Sequence, residues 1–177
     1  MQAPRSFGAY GVTLVLGMFG ASGLMARCDP QPAPTPVPAP APTTGVTAGV
    51  THNVAAPCTA RVNAERAKAG LAPVAAHPAL NKAAELHSAE QAARNKMTHT
   101  GRNGSNAGWR ISRQGYAWRT WAENVAAGQQ DCATVMSAWM NSAGHRANIL
   151  NPAMLSIGVG AVSAGNGTIY WTMDLAG

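Results

Sequence analysis

Charge is scarce in this sequence. Asp, Glu, Lys and Arg make up 11% of its 177 residues, while hydrophobic residues make up an ordinary 46%. The shortage comes partly from Ala-rich stretches and a Pro-rich tract, so it does not imply a membrane protein. The charge that exists is unbalanced, with 13 Lys and Arg against 7 Asp and Glu and a formal net charge of +6. Yet there is no dense basic block and no nucleic-acid-binding motif. That excludes a nucleic-acid reader and leaves weak attraction to anionic envelope polymers or lipids. There is no internal repeat, no coiled-coil heptad and no evident oligomer seam, so a monomer is expected. No local zinc-ligand spacing occurs. Ser142 lies near His145, but no strained nucleophile elbow surrounds it and neither Asp131 nor Asp174 is evidently placed as an orienting acid. A serine hydrolase is therefore set aside.

Long hydrophobic runs are nearly missing too. One stretches from Phe7 to about Phe19, broken by Gly8, Gly11 and Gly17. Arg5 precedes it, and Ala21, Ser22, Gly23 and Ala26 follow. This is the pattern of an export signal cleaved after Gly23 or Ala26, the alternative being an uncleaved N-terminal anchor. The protein is expected to be secreted or held in the cell envelope, with no membrane-spanning role unless the signal stays uncleaved. Arg27 stands before Cys28 where a lipidated cysteine normally follows a small residue, which argues against a lipoprotein. Loss of residues 1–28 would remove Arg5 and Arg27, leaving 11 basic residues against 7 acidic ones, about +4.

Cysteine is the third scarce residue, with Cys28, Cys58 and Cys132 only. Export makes a disulfide possible. Cys58 begins the folded region and Cys132 begins a later helix, so Cys58–Cys132 is the favoured pair; the alternative is two buried thiols. Cys28 would then be removed, free or intermolecular.

Three segments result: residues 1–28 as signal or anchor, 29–56 as a Pro/Ala/Thr-rich disordered linker, and 57–177 as the folded domain. Residues 30–42, "PQPAPTPVPAPAP", read as a polyproline II spacer. "CTARVNAERAKAG" reads as a helix after Pro57, capped by Thr59 and ended by Gly70. "PALNKAAELHSAEQAARNK" reads as a second helix with Pro78 in its first turn. Leu80, Ala83, Ala84 and His87 share one face of it, which makes His87 a packing histidine. "NAGWRISRQG" is a short helix closed by Gly115, and "DCATVMSAWMNS" is a helix capped by Asp131. "SIGVGAVSAG" and "GTIYWTMDLAG" flank the turn "AGNG" as a hairpin. Helices first and strands last argue an α+β fold with an antiparallel sheet.

Three side chains draw attention. His99 lies in the polar loop "THTGRNGS". Glu123 lies in the apolar "WAENVAAG", where a carboxylate needs a partner. His145 lies in "NSAGHRANILNP", between a helix and the hairpin. They are 24 and 22 residues apart, and spacing alone does not join them. Asn63 and Arg66 read as residues that fix helix packing. The tryptophans read as core or groove walls.

Five blocks, "VNAERAKAGLAPV", "HSAEQAARNKMTHTG", "GYAWRTWAENVAAG", "VMSAWMNSAGHRANILNP" and "GVGAVSAGNGTIYWTMDLAG", resemble in order those of bacterial CAP-domain proteins. That superfamily holds the cysteine-rich secretory proteins, antigen five and plant pathogenesis-related group one proteins, also called SCP-like extracellular proteins. The resemblance covers residues 58 to 177 and leaves out the signal and linker. It implies a three-layer α-β-α sandwich with a central antiparallel sheet. It also implies a cleft in which His99, Glu123 and His145 meet and bind a divalent metal such as zinc, with Asn124 lining the cleft and shaping its loop. Many relatives carry a second glutamate where this chain has Asn141 and Ser142, which leaves those two as cleft-lining residues and the metal site short of one anion. The resemblance implies a non-enzymatic module with no catalytic residue, binding a small apolar ligand (sterol or fatty acid) or a cell-envelope or host partner. The competing expectations are a metal-assisted peptidase and a structural or signalling domain without a ligand.

Overall fold

The computed structural model of the chain describes residues 49–177. The expected signal, Cys28 and most of the linker lie outside the described residues. The domain begins earlier than residue 57. Val50–Thr51 form a short strand, β1, and Ala55–Lys68 form the first helix, α1. Pro57 therefore sits inside the first turn, where its missing N–H costs nothing. Thr59 does not cap this helix; it is buried, and Val54 stands at the N-cap without a side-chain bond.

Next come strand β2 (Ala75–Ala76) and helix α2 (Pro78–Arg94). His77 caps α2 by accepting the Ala79 N–H on Nδ1, and Asn95 ends it in the left-handed region at φ 46°. Helix α3 (Ala107–Arg113) is capped by Asn106. Strand β3 (Trp121–Ala127) follows, placed between helices rather than after them all. Helix α4 (Cys132–Asn141) opens on a capping box in which the Asp131 carboxylate accepts from the Ala133 and Thr134 N–H groups. The stretch around His145, between helix α4 and the hairpin, is itself a helix, α5 (Ala143–Ile149). The hairpin strands β4 (Ser156–Ser163) and β5 (Ile169–Ala176) stand as expected.

The sheet order is β1-β4-β5-β3, with β2 parallel to the start of β4 and the other pairs antiparallel. Register divides its two faces sharply. Ala122, Ala126, Ile157, Val159, Ala161, Trp171, Met173 and Leu175 project toward α1, α4 and α5 and form the main apolar core with Val62, Val135, Trp139 and Ile149. The opposite face meets α2 and α3. Cross-strand rows there read Glu123–Asp174–Gly158 and Val125–Thr172–Gly160. The two glycines let α2 settle on the sheet, since a Cβ at Gly158 would overlap the Leu80–Asn81 backbone and one at Gly160 the Ala84–Glu85 backbone. This second interior mixes small apolar clusters around Leu80 and Ile111 and around Val162 and Tyr170 with buried polar side chains. Ser88 Oγ donates to Gly160 O at 3.0 Å and lies 2.9 Å from Thr172 Oγ1, and Gln91 Nε2 donates to Thr172 Oγ1 at 3.0 Å. The architecture is the three-layer α-β-α sandwich expected for an α+β chain.

A disulfide joins Cys58 in α1 to Cys132 at the start of α4, across 74 residues. Asn63 and Arg66 do fix packing: Asn63 exchanges two hydrogen bonds with the Val74 backbone, and Arg66 reaches the loop after α5. Among the described residues no helix is long and apolar enough to cross a membrane.

Candidate functional site

Strand β3 is the edge of the sheet on the side away from β1, and Glu123 is its third residue. Alternation sends Glu123 toward α2 and α3 and Asn124 toward α5. Glu123 is buried, and the burial is compensated. His99 Nδ1 lies 2.8 Å from Glu123 Oε1, and Arg110 Nη2 donates to Glu123 Oε2. His87 Nε2, from α2, lies 3.9 Å from the same Oε2. Arg110 also donates through Nη1 to His99 O at 3.1 Å and to Ser105 O at 2.9 Å. The carboxylate has therefore found the partner its apolar context requires, and that partner, Arg110, carries no sequence signal beyond its place on a helix.

His87 is buried as a packing histidine, but its role is wider than packing. It donates Nε2–H to Thr98 O at 2.7 Å, tying α2 to the loop that carries His99. Burial lowers its pKa, against the opposing pull of the Glu123 charge. Asp174, which sequence reasoning set aside, is the cross-strand neighbour of Glu123 and is completely buried. Neither of its oxygens has a conventional donor. Burial, and then the charge of Glu123, push its pKa well above the ordinary value. Only the register of β3 against β5 brings these two acids together.

His145 reaches the same edge from the other side. Asn124 Nδ2 donates to His145 O at 3.1 Å, and Asn148 Nδ2 donates to Asn124 Oδ1 at 2.8 Å. Asn124 is fully buried, so it anchors α5 from within and does not line the cleft surface. Burial lowers the His145 pKa, and so does the charge of His99, which puts the two imidazoles within electrostatic reach. The Glu123 bond raises the His99 pKa against the cost of burial. Asn141 and Ser142 stand at the α4–α5 junction, exposed and half-buried, with no hydrogen bond to His99, Glu123 or His145.

The three expected ligands are thus neighbours without being a ligand set. Among the described residues no group of three or more His, Cys, Asp or Glu side chains is arranged to hold a metal ion. Glu123 does not fit as a ligand, because its side chain is 2% exposed and each oxygen is engaged by the protein. What the arrangement leaves exposed is the His99 imidazole, with the Glu123 carboxylate behind it.

Residues 59–175 match the model of the cysteine-rich secretory protein family, CAP. The uncharacterized protein YkwD of Bacillus subtilis (strain 168) is 38% identical over 115 residues, which span 65% of this chain and 44% of that protein. The chain thus spans less than half of the length of this relative. Among solved structures, an extracellular protein containing an SCP domain from Bacillus anthracis superposes with a TM-score of 0.62 at 24% identity, over 69% of this chain and 39% of that one. An outer surface protein from Borrelia burgdorferi gives a TM-score of 0.62 at 20% identity, over 67% of this chain and 87% of that one. Both solved structures share the fold described above.

Proposed function

The chain belongs to the cysteine-rich secretory protein (CAP) family, and from that premise we propose that it is an exported, non-enzymatic binding module whose contact site is the cleft at the β3 edge. The observation that carries this reading is the engagement of Glu123. Both oxygens are taken up by His99 and Arg110, so the buried acid beside His99 is not free to serve as a general base or to orient an attacking water. Asn141 and Ser142 supply no second acid. A peptidase mechanism would lack a free carboxylate to act as its base. The disulfide and the signal-like N-terminus support an oxidising, extracytoplasmic setting.

A divalent cation such as zinc would be held here by the imidazoles of His99 and His145, with Glu123 fixing His99 from behind as carboxylates commonly do for metal-bound histidines. When bound, such an ion offers a Lewis-acidic point to a ligand oxygen. Two side-chain ligands make a weak site, filled by the metal only conditionally. The partner proposed for the module is a sterol, a fatty acid or a cell-envelope component.

The test uses the purified protein in saturable-binding assays with a sterol, a long-chain fatty acid and isolated wall fragments, each with and without zinc. Saturable binding that weakens in His145→Ala is expected, with no cleavage of a protein substrate under the same conditions. Absence of saturable binding to all three would sink the module reading, and zinc-dependent cleavage abolished by His145→Ala would replace it with the peptidase.

A further inference from the structure

His99 is an unusual residue to find ordered. Its side chain is 59% exposed and it sits in a loop, yet it belongs to a closed ring of bonds. The ring runs from His99 Nδ1 to Glu123 Oε1, from Glu123 Oε2 to Arg110 Nη2, and from Arg110 Nη1 back to the backbone oxygen of His99. A second bond from Nη1 to Ser105 O pins the far end of the same loop. One side chain therefore grips both the imidazole's partner and the backbone that carries the imidazole.

We propose that Arg110 is the positioning residue of the cleft: its buried guanidinium, acting through Glu123 and two loop carbonyls, holds the His99 ring with Nδ1 turned inward and Nε2 presented outward. The inference rests on the reading of this cleft as the binding site, and it names the device that prepares it.

The chemistry of the fork explains why the residue is an arginine. A guanidinium is planar and offers several N–H groups in fixed directions, so it serves a carboxylate on one nitrogen and carbonyls on the next. A lysine ammonium brings the same charge as a single point. Geometry supports the arrangement from the helix side as well. Gly108 lies two residues before Arg110, and a Cβ there would run into the Trp118 and Trp121 indoles, so the glycine lets these indoles pack close against α3. Trp118 Nε1 donates to Gly108 O at 2.9 Å and holds the helix at that separation.

The consequence is a tautomer. A neutral imidazole has one N–H and one bare nitrogen, and the hydrogen bond at one decides the state of the other. With Nδ1–H donated to Glu123, Nε2 carries the lone pair. His99 then offers the cleft an electron-pair donor. The group it takes is a divalent cation or the O–H of a ligand hydroxyl.

The experiment labels the histidine ring nitrogens with 15N in the full-length protein, at a pH where His99 is neutral. Wild type is expected to show the Nδ1–H tautomer at His99 and slowly exchanging Nη protons on Arg110. Arg110→Lys is expected to stay folded, to shift His99 toward the Nε2–H form that a free histidine side chain prefers, and to lose about 10–100-fold in zinc affinity, the usual effect of removing an outer partner. Retention of the Nδ1–H tautomer in Arg110→Lys overturns the proposal. Fast-exchanging Arg110 Nη protons in wild type overturn it too, and that measurement does not depend on any variant folding. If wild type shows the tautomer but no zinc binding, the metal part of the proposed function fails while the positioning role stands.

Discussion

Replacing Arg66 with methionine should unfold the protein far more readily, and the size of the effect follows from what the guanidinium touches. Arg66 is 1% exposed, and its side-chain bonds among the described residues go to backbone carbonyls. Nε donates to Ala72 O at 2.9 Å, Nη1 to Ile149 O at 2.8 Å and Asn151 O at 2.9 Å, and Nη2 to Met154 O at 3.2 Å. Ile149 is the last residue of α5, so its carbonyl is one of those a helix leaves without an internal partner, at the negative end of the helix dipole. Four bonds from a charged donor, at about 1.5–3 kcal/mol each, amount to about 6–12 kcal/mol before costs. Burying a guanidinium takes back several kcal/mol, and burial lowers its pKa for the same reason. About 3–5 kcal/mol remains as the net loss in Arg66→Met, against a total of roughly 5–15 kcal/mol for a domain. Guanidinium chloride unfolding, followed by tryptophan fluorescence, should show a lower midpoint with a similar slope. Arg66→Lys should fall between the two, since an ammonium reaches fewer of the four carbonyls. A loss below about 1 kcal/mol in Arg66→Met would refute the reasoning, because it would mean that water or a small backbone shift satisfies those carbonyls equally well.

Reducing Cys58–Cys132 releases a crosslink across 74 residues and should cost about 4 kcal/mol by chain entropy, read as a lower denaturation midpoint with dithiothreitol. An unchanged midpoint would contradict that. Gly160→Ala should destabilise by about 1–3 kcal/mol because its Cβ meets the Ala84–Glu85 backbone, whereas Gly165→Ala, with open space around it, should stay within about 0.5 kcal/mol of wild type. Equal melting temperatures for the two variants would show that α2 can withdraw from the sheet without cost. Asp174 has a folded-state pKa well above the ordinary 3.8, so its contribution is fully present below that value and is lost as pH rises toward the folded pKa. Asp174→Asn removes the titration, and its stability relative to wild type should therefore increase as pH rises from the ordinary carboxylate range to neutrality in urea unfolding. A pH-independent difference would show that folding does not raise the Asp174 pKa.

Much of the fold was legible because its signals are local. The capping of α4 by Asp131, the first-turn Pro78 of α2, the glycine after α3 and the hairpin turn before β5 are each written within a few residues. Two elements were not. "WAENVAA" has no clean alternation, since both faces of β3 are buried, one in the apolar core and one against the second interior, so its strand period does not stand out. "AGHRANI" is short and carries polar residues around its circumference, so it reads as a connector until Asn124 and Arg66 tie its backbone down. At the site, His99, Glu123 and His145 were recognisable by resemblance, but Arg110, His87 and Asp174 were not, because nothing near them in sequence marks them as neighbours of Glu123.

By itself the sequence determined the family, the helix and hairpin order, the two histidines and the acid between them, and the cysteines available for a bridge. Those follow from motifs and from local backbone preference. Only the tertiary structure decided what the acid does. Register sets Asp174 beside Glu123, and the close approach of α3 brings Arg110 onto it. In the folded chain that carboxylate is buried and bonded to His99 and Arg110. The reason is that a side chain's role depends on which partners satisfy its charge once water is gone, and those partners come from strands and helices that only folding brings together.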